Sequence, residues 1–446
     1  MDQNIQFEQL ETFSKNFSAS SANRIAQNAV AENGIHKAAR NVYSRQNNPF
    51  GFSIELEAGE ATNQKGSGRC WMFASYNVMR MEIMKKLNLE NMELSQAYPL
   101  FYDKLEKCNY FLENMLETLD EPVDGRLVSF LLWSPVGDGG QWDMFRSITA
   151  KYGVVPKEAM PETAVSSDTW ELCDYLTKKL REYACVFRKM KAEGKTLEEM
   201  REAKEEMMNT LYRMLAIALG EPPKRFTWET RDKDKKFVRV ADITPQEFFA
   251  QYVGWDLDNY VTVINAPTAD KPYGKTFTVQ YLGSVKGGKY PVKYLNLPMD
   301  DLRDIAIRML KDGKAVWFGC DVGQFSEGKD GLLCMDAFDV PGLFRTEFGM
   351  TKAERLDYGE SVMTHAMVLT GVDLDDNGKP IRWKVENSWG DERGKKGYYV
   401  MDDTWFGEFS YQILLERSYL SEEQAKALEQ EPIELKPWDP MGSLAL

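Results

Sequence analysis

The character of the sequence changes along the chain, from helical patterns in the first half to strand-like patterns in the second. Helical spacing of apolar residues runs from Trp71 to Lys86 and again through residues 167–219. From about residue 236 to residue 420, short aromatic-rich segments resembling strands are separated by Gly and Pro turns. Helices that precede strands, instead of alternating with them, predict an α+β fold. With 446 residues, the chain is expected to form two lobes or one large core with insertions.

Residues 167–219 read as two amphipathic helices joined by a short turn. Thr196 and Glu199 have the spacing of a capping box at the start of the second helix, and Gly220 begins the stretch that ends it. This hairpin has the character of an insertion. Its apolar face must be buried somewhere, so we expect it to form subunit contacts, with packing on its own core as the alternative.

Charge and composition exclude several classes of protein. The chain carries 55 Lys and Arg against 69 Asp and Glu, so its net charge of −14 opposes binding to a phosphate backbone. The N-terminal stretch has no basic and apolar leader pattern, and no window approaches the ~18 apolar residues of a membrane span. We therefore expect a cytoplasmic protein that binds neither membrane nor nucleic acid. Sparse cysteines without C-x-x-C spacing predict free thiols, at Cys70, Cys108, Cys173, Cys185, Cys320 and Cys334.

Histidine is scarce, and any chemistry that needs an imidazole must use one of two residues, His36 or His365. His36 lies in a polar helical setting that is typical of a surface residue. His365 lies in a strand-like segment, SVMTHAMVLTGV, where a packed core histidine is the ordinary alternative to a functional one. Two histidines are too few for most zinc sites, and the sequence has no H-E-x-x-H motif. We therefore expect neither a metal nor a cofactor. A metal site built only from carboxylates stays open as an alternative.

The segment after His365 supplies a partner for its ring. The pair Asn377-Gly378 is a turn signal, and the alternating stretch IRWKVENSWG follows it. His365 lies eleven residues before Asp376 and Asn387 eleven after it, so an antiparallel hairpin brings the two nearly opposite, within a few residues of register. An asparagine carboxamide there can hold the imidazole in the tautomer that a general base needs.

The stretch ATNQKGSGRCWMF, residues 61–73, places Cys70 behind a glycine-rich loop and at the start of an apolar helix. The unpaired N–H groups and dipole of a helix N-terminus favour a thiolate, and Arg69 and Lys65 are expected to add to that effect. Gln64 can bring its side-chain NH₂ beside the Cys70 N–H, giving two donors for an oxyanion. The alternative is a packed thiol on an amphipathic helix.

Taken together, QKGSGRCW, the strand with His365 and the tetrad Asn387-Ser388-Trp389-Gly390 resemble the papain-like cysteine peptidases. The resemblance implies that Cys70 is the nucleophile, His365 the general base and acid, and Asn387 the residue that orients His365. It also implies that Gln64 is an oxyanion donor and that Trp389 shields the His–Asn bond. In GDGGQW, Gly139 and Gly140 are similar to the glycine pair with which the family binds the substrate backbone.

Two departures narrow the resemblance. Ser67 stands where the family's disulfide cysteine is usual, and 295 residues separate Cys70 from His365, far more than the ~130–150 of secreted members. Both features resemble the bleomycin hydrolase and bacterial aminopeptidase C branch, as do the helical insertion and the ending PWDPMGSLAL. The branch implies a cytosolic homohexamer that removes residues one by one from peptides with a free N-terminus.

The resemblance also implies a division of the chain into five parts. They are an N-terminal extension packed on the core (1–60), a helical lobe with Cys70 (61–166), an oligomerisation hairpin (167–222), a β-rich lobe with His365 and Asn387 (223–430) and a C-terminal arm (431–446). The arm is expected to lie in the active-site cleft, where its terminal carboxylate meets the substrate's ammonium group. Leu446 is then a candidate for self-trimming, which would leave Ala445 terminal.

Two functions from other classes compete with a peptidase. A cysteine acyltransferase of the transglutaminase type also uses Cys and His, but normally with an acidic third residue in the place of Asn387. A non-catalytic, nucleic-acid-binding assembly on a peptidase fold is disfavoured by the acidic net charge of −14.

Overall fold

The computed structural model describes residues 3–445, and its first half is helical. The chain begins with α1 Phe7–Ser18, α2 Ser21–Asn33, α3 Ile35–Ala39, α4 Ser44–Asn47 and the short strand β1 Ile54–Glu55. It continues with α5 Cys70–Leu87, α6 Ala97–Glu117, α7 Arg126–Trp133, α8 Trp142–Tyr152, α9 Ala164–Ser167, α10 Trp170–Ala192 and α11 Leu197–Leu219.

Most strands lie in the second half, so the predicted α+β class is confirmed. The elements from residue 226 to residue 333 are β2 Phe226–Arg231, β3 Phe237–Ile243, α12 Pro245–Phe248, β4 Tyr260–Ile264, β5 Thr276–Val279, β6 Tyr294–Asn296, α13 Met299–Lys311, β7 Val316–Cys320, β8 Ser326–Glu327 and β9 Leu332–Leu333. They are followed by α14 Val340–Phe344, α15 Lys352–Asp357, β10 His365–Leu374, β11 Pro380–Glu386, β12 Tyr398–Asp402, α16 Asp403–Phe409, β13 Ser410–Glu416, α17 Glu422–Ala427 and β14 Ile433–Leu435.

One large sheet of twelve strands carries the histidine strand near its middle. Its order is β14-β5-β6-β4-β13-β7-β10-β11-β12-β9-β8, with β1 also paired to β10. β10 and β11 form the predicted antiparallel hairpin, in which Val368 faces Glu386. Continuing that register sets Asn387 opposite Met367, two residues from the predicted partner His365. The offset arises because the turn is centred on Asn377, one residue after Asp376, and a shift of one residue at the turn moves every cross-strand partner by two; the two bulges lie on opposite strands and cancel.

Helix α5 lies between the helical lobe and the sheet. Every residue from Cys70 to Arg80 is buried, as expected of a helix that is apolar on nearly all sides. Its neighbours include β7 and β10, so the cysteine and histidine segments come together at the centre of the molecule. Within residues 3–445, no helix has both the length and the apolarity needed to span a membrane.

The hairpin of α10 and α11 differs from its expected use. The predicted capping box is confirmed, since Thr196 Oγ1 accepts the Glu199 N–H, and Gly220 ends α11 with a φ of +79°. Its apolar stripe, however, packs on α6 of the same chain and is buried there, with Leu176, Leu180, Phe187, Leu211 and Leu215 among its buried members. The apolar face therefore needs no second subunit, which removes the reason for expecting oligomerisation through this hairpin.

The N-terminal extension also differs from expectation. Among the described residues, α1 and α2 contain none that is buried, whereas Ala39, Ser44 and Ala58 further along are buried. Only the later part of residues 1–60 packs on the core as expected. The two helices carry exposed aromatic and aliphatic side chains instead, led by Phe7 with 82% of its surface exposed.

Residues 431–445 return across the sheet toward the active-site region. β14 pairs in parallel with β5, and a 3-10 turn, Pro440–Ala445, follows. Lys271 Nζ lies 2.9 Å from Asp439 Oδ2, and the Arg126 guanidinium stacks 3.8 Å from the Trp438 ring centroid. These contacts fix the chain just before its last residues.

Candidate active site

Cys70 is the first residue of α5, as the sequence predicts, and its thiol is buried. Burial raises the pKa of the Cys70 thiol to about 11, while the N–H groups of Ala366 and Trp71 beside the sulfur act in the opposite direction. The expected help from Arg69 is not available, because both ends of its guanidinium bind Glu162, at 2.9 Å each. Local anion stabilisation at Cys70 therefore comes from backbone N–H groups.

The His365 ring is held by Asn387. Its Nε2 lies 2.9 Å from Asn387 Oδ1, and because that oxygen can only accept, Nε2 carries the proton and Nδ1 is left as the basic nitrogen. The Trp389 ring lies over the imidazole with 4.8 Å between centroids. Burial lowers the pKa of His365 to about 4, and the bond to Asn387 partly opposes that shift.

The cysteine and histidine segments are joined directly. The Ala366 N–H that approaches the Cys70 sulfur belongs to the residue after His365, so the thiol lies beside the imidazole strand. From the loop before Cys70, the Gln64 N–H donates to Ser388 O at 2.8 Å, and Ser388 Oγ donates to Gln64 Oε1 at 2.6 Å. These two hydrogen bonds connect the loop before Cys70 to the tetrad that contains Asn387.

Gln64 is placed close to the start of α5. Its Nε2 donates to Ser67 O at 2.6 Å, which uses one of its two hydrogens. The second hydrogen remains for a substrate oxygen. A nucleophile, a base with a fixed tautomer and candidate oxyanion donors, the Cys70 N–H and Gln64 Nε2, are thus gathered at one place.

The two glycines of GDGGQW have different neighbours. A Cβ at Gly139 would overlap the Leu444 carbonyl oxygen and lie 3.0 Å from Ala445, so the C-terminal arm runs directly against this residue. A Cβ at Gly140 would lie 2.5 Å from the Trp71 ring. Gly139 thus contacts the C-terminal arm, whereas Gly140 is required for close packing on the cysteine helix.

The C-terminal arm packs against segments that carry the candidate site residues. Leu444 is buried, and Ser443 Oγ donates to Met363 O at 2.8 Å, two residues before His365. Gln141 Nε2 donates to Met441 O at 3.3 Å. Ala445 is the last described residue, and Leu446 lies outside the described range.

Sequence reasoning missed several buried ionic contacts around this site. Arg80 of α5 lies 2.7 Å from Glu386, the residue before Asn387, so an ion pair joins the cysteine helix to the asparagine strand. The sequence did contain two signals of this ion pair: Arg80 is a charged residue inside the apolar run of α5, and Glu386 is an acid beside Asn387. Asp138, beside Gly139, is half-buried and pairs with the fully buried Lys104, and no local pattern pointed to that pair.

Comparison with known proteins agrees with this geometry. A model of the peptidase C1-like family matches residues 4–442. Aminopeptidase C of Listeria monocytogenes is 50% identical over 100% of both chains, and human bleomycin hydrolase is 44% identical over 91% of this chain and 90% of its own. The crystal structure of PepW from Lactobacillus rhamnosis superposes with a TM-score of 0.97, with 50% identity and 99% of each chain covered. The chain therefore belongs to the peptidase C1-like family of papain-like cysteine peptidases, in the branch of aminopeptidase C and bleomycin hydrolase.

Proposed function

We propose that this chain is a cysteine aminopeptidase that releases single residues from peptides with a free N-terminus. The observation that carries the proposal is the C-terminal arm, whose Leu444 and Ala445 lie against Gly139 and whose Ser443 binds Met363 O, two residues before His365. In the proposed arrangement the arm blocks one side of the substrate site and leaves room for one residue before the scissile bond. The test is release from aminoacyl reporters with a free amine, which we expect, against N-acetylated reporters, which should not react.

The chemistry is nucleophilic catalysis. His365 takes the Cys70 thiol proton as the sulfur attacks the substrate carbonyl, and the oxyanion that forms is stabilised by the Cys70 N–H and Gln64 Nε2. The imidazolium then gives its proton to the departing amine, leaving an acyl-enzyme. Water attacks this thioester with His365 as general base, which releases the amino acid and restores the thiol.

Specificity for a free amine follows from the chain's own carboxylate. In this proposal the arm carries a terminal carboxylate, on Leu446 or, if Cys70 trims the arm, on Ala445. A carboxylate held in a closed cleft attracts the substrate's α-ammonium group, and charge-assisted hydrogen bonds are stronger there than in water. A blocked N-terminus loses this pairing. The transglutaminase-type alternative is not favoured, because the residue that orients His365 is Asn387 instead of an acid.

The pH dependence follows from the two buried groups. The Cys70 thiol and the basic nitrogen of His365 share one proton in the active form. Burial lowers the pKa of His365, which opposes the addition of a second proton, and raises the pKa of Cys70, which opposes the loss of the shared one. The singly protonated pair is the active form, since transfer of its proton to His365 places both charges side by side. We expect a bell-shaped profile of kcat/KM with its acidic limb below pH 6.5 and its basic limb above pH 9.0, the ordinary values for the isolated groups.

A His36→Gln variant is the control for this profile, because His36 is exposed and far along the chain from the site. Its profile should match the parent. A limb that moves in this variant, or an activity that falls away between pH 6.5 and pH 9.0 in the parent, would contradict the assignment of the titrating pair.

We also propose a homohexamer that uses the N-terminal apolar face, defined as Phe7, Leu10, Phe13, Phe17 and Ile25, which are 42–82% exposed. Two helices with no buried residue of their own among residues 3–33 need a partner to cover this face. A second copy of the chain is the occupant that the resemblance supports. The assembly then encloses the active sites and restricts access to peptides.

Replacing Phe7, Phe13 and Phe17 with serine should reduce the particle from six chains to one in light scattering, since most of the aromatic area of this face is lost. The matched control is Trp170→Ser with Tyr175→Ser, which removes two exposed aromatic residues from α10. An unchanged mass in the first variant, or a smaller particle in the control, would reject the N-terminal face as the contact.

For location we propose the cytoplasm. All six cysteines lie in the described range and each is free, Cys185 even with an exposed side chain. Free thiols persist in reducing compartments, which supports this proposal.

A further inference from the structure

The carboxylate of Asp138 connects three parts of the helical lobe. Its Oδ2 accepts the Gly68 N–H at 2.8 Å and the hydroxyl of Thr169 at the start of the hairpin. Its Oδ1 lies 2.7 Å from Lys104 Nζ of α6 and 3.3 Å from Cys173 Sγ of α10. One side chain thereby ties the cysteine loop, α6 and the hairpin together.

Asp138 also holds the cysteine turn through its backbone. Its carbonyl accepts the Trp71 Nε1–H at 2.8 Å, so residues on both sides of Cys70 are bound to this one residue. The next residue, Gly139, borders the cleft and contacts Leu444 of the arm. Any displacement of Asp138 therefore moves the nucleophile relative to the edge that receives the peptide backbone.

Two buried lysines of α6 hold the same loop from behind. Lys104 has no exposed surface, and Lys107 is almost as buried and lies 2.9 Å from Asp103. Their ammonium groups donate, over 2.6–3.1 Å, to the carbonyl oxygens of Val136, Gly137 and Gly139. Buried ion pairs are often no more stabilising than apolar residues of similar volume, so stability alone is a weak reason for this arrangement. What the bonds do supply is a fixed loop position.

The charges of this cluster also act on Cys70. Besides burial, the negative charge of Asp138 raises the pKa of the Cys70 thiol. Burial alone would raise the pKa of Asp138 too, yet Lys104, Thr169 and the Gly68 N–H hold it well below its usual range, so the group is ionised. Lys104 thus keeps Asp138 charged.

We propose that Asp138 is a positioning residue, which holds the Cys70 turn and the Gly139 edge at a fixed separation while Lys104 balances its charge. The inference rests on the aminopeptidase function proposed above. Asp138 takes no part in proton transfer. Its effect reaches the reaction through the placement of Cys70 and Gly139, and a misplacement of about 1 Å in an active site costs about 100-fold in rate.

The first test is Asp138→Ala, assayed below its melting temperature and normalised to the Cys70 thiols that react with iodoacetamide. We expect kcat/KM per reactive site to fall about 100-fold. The matched control is Glu113→Ala, which removes a carboxylate joining α6 to Arg201 and Lys204 of the hairpin but leaves the cysteine loop alone. The control should lose thermal stability and keep its kcat/KM. A loss of less than about tenfold in Asp138→Ala, or an equal loss in the control, overturns the proposal.

The second test, Asp138→Asn, serves if the alanine variant does not fold. The amide keeps an oxygen for the Gly68 N–H and removes the charge, so we expect a smaller loss of kcat/KM than in Asp138→Ala. The pH profile of iodoacetamide labelling at Cys70 should also move to lower pH, which a merely structural role would not cause. A kcat/KM per reactive site equal to that of the parent overturns the proposal, whereas an unmoved labelling profile contradicts only the effect of the Asp138 charge on the thiol. An inactive parent enzyme would refute the proposed function instead, and labelling would still test Asp138.

Discussion

Replacing Cys70 with alanine is expected to lower kcat/KM on free-amine peptides by on the order of 10⁴-fold or more, because the proposed acyl-enzyme forms on its sulfur. Cys320, the cross-strand partner of His365, does not replace it, since burial raises the pKa of its thiol well above the ordinary value. His365→Ala should cause a comparable loss. The double variant should be hardly worse than either single variant, since the two residues act as a unit. Asn387→Ala is expected to lose less, because nucleophile and base remain and only the orientation of the imidazole weakens.

The control for these losses is correct folding, checked by melting temperature and by the His36→Gln variant, which should keep full activity. Iodoacetamide provides an independent check, since it should inactivate the parent by modifying Cys70. Modification of another cysteine with loss of activity, while Cys70 stays unmodified, would show that the nucleophile was wrongly assigned.

Deleting residues 442–446 is expected to change the specificity of the enzyme and not merely its rate. Without the arm, the cleft beside Gly139 is open and no terminal carboxylate meets the substrate's ammonium group. Release of single residues should weaken, while N-terminally blocked and longer peptides become substrates, cleaved internally. The measurement is mass spectrometry of the products from one peptide, with a free and with an acetylated N-terminus.

Two further variants serve as controls for the arm. Ser443→Ala removes only the bond to Met363 O and should keep the requirement for a free amine. Cys70→Ala should retain Leu446 in an intact-mass measurement, because trimming of the arm requires the nucleophile. If the deletion variant still demands a free amine and releases single residues at the parent rate, the arm has no role in specificity.

The residues of the candidate site were predictable where a local pattern carried them. Cys70 follows a glycine-rich loop and begins an apolar helix, and His365 and Asn387 flank a turn that sets two strands side by side. Their register was off by two residues, because the turn is centred on Asn377 instead of Asp376, and the sequence pattern does not fix a turn centre to one residue.

Contacts between distant segments were less accessible. The stripe of the hairpin was visible in the sequence, but its partner α6 was not, and subunit contacts through the hairpin stay a prediction. Asp138 looked like an ordinary loop residue, because its partners Gly68 and Lys104 come from elsewhere in the chain. The pairing of Arg80 with Glu386 spans more than 300 residues and has no local periodicity.

The central claim is that Cys70 forms an acyl-enzyme with the residue that is released. The direct measurement is rapid acid quenching of the enzyme with a free-amine aminoacyl ester, followed by peptide mapping of the protein by mass spectrometry. The account predicts one aminoacyl group per chain on the peptide that contains Cys70, and none in Cys70→Ala. Turnover without an adduct on Cys70 under conditions where deacylation is rate-limiting, or an adduct on another residue, would contradict it.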